Sequence, residues 1–155
     1  MTQVLQLDEI KRLIDVPALI REIEAGFVLY SEDRVVVPPV GFLHFEQPPG
    51  DVHIKYGFVT GDEFYVLKMA SGFYDNPKLD LPVSDGLLLL FSQKTGQLNL
   101  VLLDECWLPA MRHPAAGPVG AKPLAPAKDQ NIRVVGTHVQ ARLETAVYRD
   151  VVDCD

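Results

Sequence analysis

Apolar residues recur along this chain with two different periods, and the change of period divides it. Leu7, Ile10, Leu13 and Ile14 are spaced as on one face of a helix behind Asp8, a residue suited to capping. After Pro17 the positions Leu19, Ile20, Ile23, Phe27 and Tyr30 repeat the pattern, so two amphipathic helices packed on a core are predicted. From Arg34 the period falls to two. Val35–Val37 is a β-branched run closed by Pro38-Pro39, Gly41–Phe45 follows, and Gln47-Pro48-Pro49-Gly50 reads as a turn. Val52–Phe58 and Glu63–Met69 alternate, and Gly86–Phe91 turns at Thr95-Gly96 into Leu98–Leu103. Strands joined by such short turns form a mostly antiparallel sheet, so the first part is predicted as an α+β domain, two helices on that sheet.

Beyond the strands, Leu102–Pro126 is rich in small residues, as in a helix packed close to another backbone, yet Pro114, Pro118 and Pro123 interrupt it. An interior proline costs a helix about 3 kcal/mol, and only Pro114 could open a helix at its first turn. A broken, kinked or shortened helix is expected there. Ala127–Gln130 reads as a polar hinge, dividing a domain of residues 1–129 from a unit of residues 130–155. In that unit an apolar strand, 132–136, leads through Gly136 into a helix over Val139–Asp150, the order of a dinucleotide-binding strand, turn and helix. Glycine permits the tight turn, and free N–H groups at a helix start attract a pyrophosphate. Of the Gly-x-Gly-x-x-Gly/Ala fingerprint the chain offers Gly136, His138 and Ala141, an imidazole standing at the middle position. Asp153 and Asp155 lie near the distance of a ribose-binding acid but precede any second strand, so the nucleotide-type unit is read as incomplete.

The 155 residues suffice for a core at 48% hydrophobic content, and a net charge of −7 argues against nucleic acid or an anionic membrane as the main partner. Cys106 and Cys154 form no disulfide framework, which points to a reducing compartment; charged residues in the first turns do not suit a signal peptide, and no apolar run approaches the ~20 residues of a bilayer span. A cytoplasmic protein is expected.

For chemistry, Lys68 stands in the interior of a predicted strand, where an ammonium needs a carboxylate or an aqueous cavity; snorkelling to solvent is the plain alternative. His44 and His53 fall on neighbouring strands with a spacing that suggests no metal site, and Tyr56, Tyr65, Phe73 and Tyr74 read as core or interface rather than a stacking platform.

Leu87–Phe91, Thr95-Gly96, Leu103-Asp104-Glu105, Leu108, Met111-Arg112, Ala115-Ala116-Gly117, Ala121-Lys122, Leu124-Ala125-Pro126 and Val135-Gly136-Thr137-x-Val139-Gln140-Ala141-Arg142 together resemble the ornithine cyclodeaminase/mu-crystallin family. The likeness runs back through Lys68 and Asn76-Pro77 to the opening helices and corresponds to the N-terminal half of the family's chain. The resemblance implies a homodimer whose N-terminal sheets join in a barrel, and a Rossmann domain binding NAD(H) or NADP(H). It implies hydride exchange at an amino-acid or imine carbon, as in ornithine cyclodeaminases that form L-proline and ammonia, alanine dehydrogenases and ketimine reductases. Lys68 and Arg112 match the residues that hold the substrate carboxylate, and Gly136, Thr137, Val139 and Gln140 match positions around the cofactor pyrophosphate. The family's catalytic aspartate has no counterpart in these residues. His138 for the second glycine, His113-Pro114 after the arginine, Pro109-Ala110 ahead of it, and Pro118, Gly120 and Pro123 depart from the pattern. The expectation is a truncated enzyme of this type; the alternatives are a non-catalytic dimeric binding module of the same ancestry and an unrelated α+β binding domain.

Overall fold

The computed structural model describes residues 1–124 and 133–151, in two compact units. The first, Met1–Leu13 with Leu29–Cys106, is built on one seven-stranded sheet. Its strands are β1 (Gln3–Gln6), β2 (Val35–Val36), β3 (Gly41–Phe45), β4 (Gly50–Val59), β5 (Phe64–Phe73), β6 (Ser84–Ser92) and β7 (Leu98–Leu103). They lie in the order β1-β7-β6-β5-β4-β2, and β3 also pairs with β4; β1 runs parallel to β7 and all other neighbours are antiparallel. The mixed α/β fold with a mainly antiparallel sheet thus follows the alternation of the sequence.

Local chemistry sets the turns. After β4 the chain reverses at Gly61 (φ +88°), and between β6 and β7 at Gly96 (φ +70°), whose N–H donates to the Ser92 carbonyl at 2.9 Å. The Ser92 hydroxyl accepts from the N–H groups of Lys94 and Thr95 in the same turn. Helix α1 (Leu7–Leu13) follows β1 without a loop. Asp8 is inside its first turn rather than its cap, and Glu9 instead folds back to accept the Gln6 N–H at 2.9 Å. β1 itself, four residues, carries too short a pattern to be read from sequence.

The second unit comprises Ile14–Val28 and the chain from Trp107 onward. Helix α2 (Val16–Ser31) begins at Asp15, whose Oδ2 accepts the Ala18 N–H at 2.9 Å. It ends with Asp33 in the left-handed conformation (φ 56°) and the Arg34 N–H returning to the Leu29 carbonyl at 3.0 Å. Ile20 of α2, expected on the sheet, is buried in a cluster with Met111 and Ala115 of α3 (Trp107–Leu124) and Val147 of α4 (Val139–Val151).

Two expectations are corrected here. α3 runs as a single helix through Pro114, Pro118 and Pro123. Pro114 and Pro118, four residues apart on one face, are both buried, and Pro114 is among the most enclosed side chains. Their rings supply packing that offsets the lost N–H bonds. Gly117 sits on the same helix where a Cβ would come within 2.9 Å of the Tyr148 ring, so its bareness lets α4 approach. The strand expected over 132–136 does not form in its described part: among the described residues 133–137 pair with no strand and so join no ladder. Helix α4 starts at Val139 as read. The hinge expected at 127–130 lies outside the described residues.

Candidate functional site

β5 lies between β4 and β6, and its Lys68 is in register with Lys55 on one side and Leu88 on the other; Leu88 in turn pairs with Leu102. Paired residues share a sheet face. A groove of about 350 Å³ opens over that face, with Val35, Phe64, Val66 and Leu88 as apolar walls around Lys55 and Lys68. Gly57 belongs to the same groove, and a Cβ there would lie 2.5 Å from the Val36 carbonyl, so the bare backbone keeps β2 tight against β4. A lysine at this position is held in a sheet centre and half-buried, with walls that lower the dielectric around any bound anion.

Two residues along β5, on the same face, Ala70 pairs with Gly86 on β6. Cys106 sits above Gly86, its thiol donating to the Asp85 carbonyl at 3.0 Å. The turn that places it is strained: Glu105 (φ 49°) and Cys106 (φ 63°) are consecutive non-glycine residues in the left-handed region, each costing on the order of 1–3 kcal/mol. Asp104, at the end of β7, is fully buried. Burial raises the Cys106 thiol above its ordinary pKa, Asp104 adds to the rise, and the Lys68 ammonium opposes it.

At the β3–β4 edge, Asp51 accepts the Tyr74 hydroxyl at 2.6 Å and faces His53 Nε2 at 3.5 Å. The acceptor carboxylate holds the Tyr74 phenol above its usual pKa. Phe42 packs against both His53 and His44, and among the described residues no group of three or more His, Cys, Asp or Glu is placed to hold a metal ion. Of the aromatic residues singled out in the sequence, Tyr65 stacks on Phe91, Phe73 meets Phe45 at a tilt, and Tyr56 is exposed.

Arg112 stands on α3, in the helical unit, exposed, with Nη2 3.1 Å from His113 Nε2, and His113 Nδ1 is 3.0 Å from the Pro109 carbonyl. A guanidinium only donates and a carbonyl only accepts, so the bridging ring carries its proton on Nδ1 and receives the arginine on Nε2. Gly136 and Thr137 precede α4, and Val139 and Gln140 are its first two residues, with His138 between the pairs. Gly136 has φ +136°, a conformation that side chains resist, and His138 opens the helix, its carbonyl accepting the Arg142 N–H at 3.4 Å. Gln140 Oε1 is buried and accepts no hydrogen bond among the described residues. A glycine turn, a helix start with open N–H groups and an orphan amide suit the pyrophosphate of a dinucleotide, and the His138 side chain beside them is exposed.

Lys68 therefore lies in the sheet unit, and Arg112 and the Gly136 turn in the helical one. Sequence reasoning missed Lys55, Cys106 and His113. Lys55 was visible only as an alternating strand position, and pairing register, which reveals its neighbour, is not written in spacing.

A cyclodeaminase of Sinorhizobium fredii, itself uncharacterized, is 35% identical over 121 residues, 78% of this chain and 37% of that protein. Among solved structures, an archaeal alanine dehydrogenase dimer with bound NAD superimposes with TM-score 0.88 at 27% identity, over 99% of this chain and 46% of its own. The Δ1-pyrroline-2-carboxylate reductase of Thermococcus litoralis, in complex with NADH and L-proline, gives TM-score 0.87 at 25% identity over 98% of this chain and 47% of its own. The chain spans less than half the length of each. No described helix is long and apolar enough to cross a membrane. The family's model matches residues 1–155: the chain belongs to the ornithine cyclodeaminase/mu-crystallin family.

Proposed function

We propose that this chain anchors the substrate of a nicotinamide-dependent enzyme acting on a small amino or imino acid, by ornithine cyclodeamination or the related dehydrogenase and reductase chemistry. The observation that carries the reading is Lys68, held at the sheet centre in an apolar groove. There an ammonium is a point charge in low dielectric, suited to a carboxylate; the family resemblance assigns Arg112 to the same group, which a guanidinium fork binds through paired hydrogen bonds. Gly136, Thr137, Val139 and Gln140 are assigned to the pyrophosphate of NAD(H) or NADP(H), whose nicotinamide supplies or accepts the hydride. In this reading residues 1–129 form the substrate and dimerisation domain and residues 130–155 the beginning of the Rossmann domain. The homodimer joins through the sheet, where Leu43, Phe45, Tyr56 and Met69, on the face opposite Lys68, are exposed.

Titration of the purified chain with NADH, followed by nicotinamide fluorescence, tests the cofactor assignment; no response at millimolar cofactor rejects it. His138 at the middle fingerprint position favours a second reading, a non-catalytic dimeric module that still binds a small carboxylate. Release of ammonia from ornithine that disappears in Arg112→Met excludes that second reading.

A further inference from the structure

The groove holds two lysines, not one. Lys55 and Lys68 are directly opposed on β4 and β5. Opposed residues have Cβ atoms about 4.5–5.5 Å apart, and like charges in that relation destabilise a sheet. Both line the same groove, between walls that include Phe64, Val66 and Leu88. Among the described lining residues the acidic one is Asp62, whose Oδ1 is engaged by the Glu63 N–H at 2.6 Å. Asp104 and Asp85 act from the β6–β7 side, where they and Lys68 all bear on the Cys106 thiol. That leaves Lys55, on the β4 side of Lys68, with no carboxylate in register beside it on the neighbouring strands: its partner on β5 is Lys68, and β3 pairs only with Gly50–Ile54.

Two like charges on one face of a groove favour an anion that meets both. Resting on the reading of Lys68 as a carboxylate anchor, we propose that Lys55 is a second anion contact and that the substrate is a short dicarboxylic amino or imino acid. One carboxylate lies on Lys68 and the other on Lys55. A lysine stem is flexible enough for the two ammonium groups to meet carboxylates separated by two or three carbons. Lys55 is then the specificity determinant: it selects diacids over monoacids, while Lys68 is needed by both.

The test is binding of succinate, propionate and inorganic phosphate to the full chain at matched ionic strength, by calorimetry or chemical-shift titration. Wild type is expected to bind succinate about tenfold to a hundredfold more tightly than propionate, the range of one added charge-assisted hydrogen bond. Lys55→Met removes that preference and leaves propionate unchanged. Lys55→Arg, which keeps the charge, retains it, and Lys68→Met weakens both acids. The ligand-free Lys55→Met protein melts no lower than wild type, because an exposed side chain and a like-charge contact are lost together.

Equal binding of the two acids by wild type overturns the proposal alone. So does a Lys55→Met variant that weakens both acids or neither, or a Lys55→Arg variant without the preference. Lys55-dependent binding of phosphate in place of succinate assigns the residue to a phosphate and likewise overturns it. If Lys68→Met leaves propionate binding unchanged, or neither acid binds wild type, the carboxylate-anchor reading fails, and this proposal fails with it.

Discussion

Gly86→Ala is the substitution that most directly probes how the site is framed. A Cβ at this position would lie 2.5 Å from the Met69 carbonyl oxygen, 2.8 Å from Cys106 Sγ and 3.3 Å from the Ala70 Cα. Two of those three neighbours are backbone of β5, both in the peptide group that joins Met69 to Ala70, and they cannot rotate away. Only the thiol can. Overpacking of this kind costs about 1–3 kcal/mol, and for a chain of this size each kcal/mol lowers Tm by roughly 2–4 °C, so Gly86→Ala is expected to melt roughly 2–12 °C below wild type. Urea unfolding with an unchanged slope gives the same ordering. In the double variant Gly86→Ala/Cys106→Ala the sulfur contact disappears while the carbonyl contact stays, so less than half of the loss should return, relative to Cys106→Ala alone. A Gly86→Ala protein within about 0.5 kcal/mol of wild type, the ordinary scatter of harmless substitutions, refutes this account of β5 and β6. Full recovery in the double variant would show that the thiol, not the carbonyl, is the wall.

Three further outcomes follow from single contacts. In a Cys154→Ser background, the pH profile of Cys106 alkylation should have its inflection above that of the unfolded chain. Lys68→Met should move it higher still, because a lowering charge is gone; a downward move would contradict the placement of Lys68 near the thiol. Asp15→Ala removes the side-chain acceptor for the Ala18 N–H and should cost about 1 kcal/mol, with Asp15→Asn near wild type in thermal melts; equal loss in both variants would exclude capping as the cause. Nitrogen-15 NMR of neutral His113 should show the proton on Nδ1, and an Nε2–H pattern would rule out its bond to Arg112.

The sequence by itself determined the elements whose signal is local and periodic. Alternation marked β4 and most of β5, apolar runs bounded by turn residues marked β3, β6 and β7, three-and-four spacing marked α2, and the motif set from Leu87 to Arg142 marked the family. It also singled out Lys68, because an ammonium inside an apolar strand is anomalous wherever that strand lies. The tertiary structure decided what depends on partners distant along the chain. Pro114 and Pro118 carry a helix-breaking signal in isolation, yet their rings are buried in a packed α3, and packing outweighs propensity. Residues 133–137 carry a strand-like pattern but have no described strand to bond. Asp8 looks like a cap until β1, fixed by pairing with β7, starts the helix one residue earlier. The opposition of Lys55 and Lys68 was hidden for the same reason. Each lysine occupies an ordinary alternating position, and a one-residue slip of register would send one of them to the other face. Register is set by the whole sheet and its turns, so the charge pair that defines the groove exists only once the strands have met.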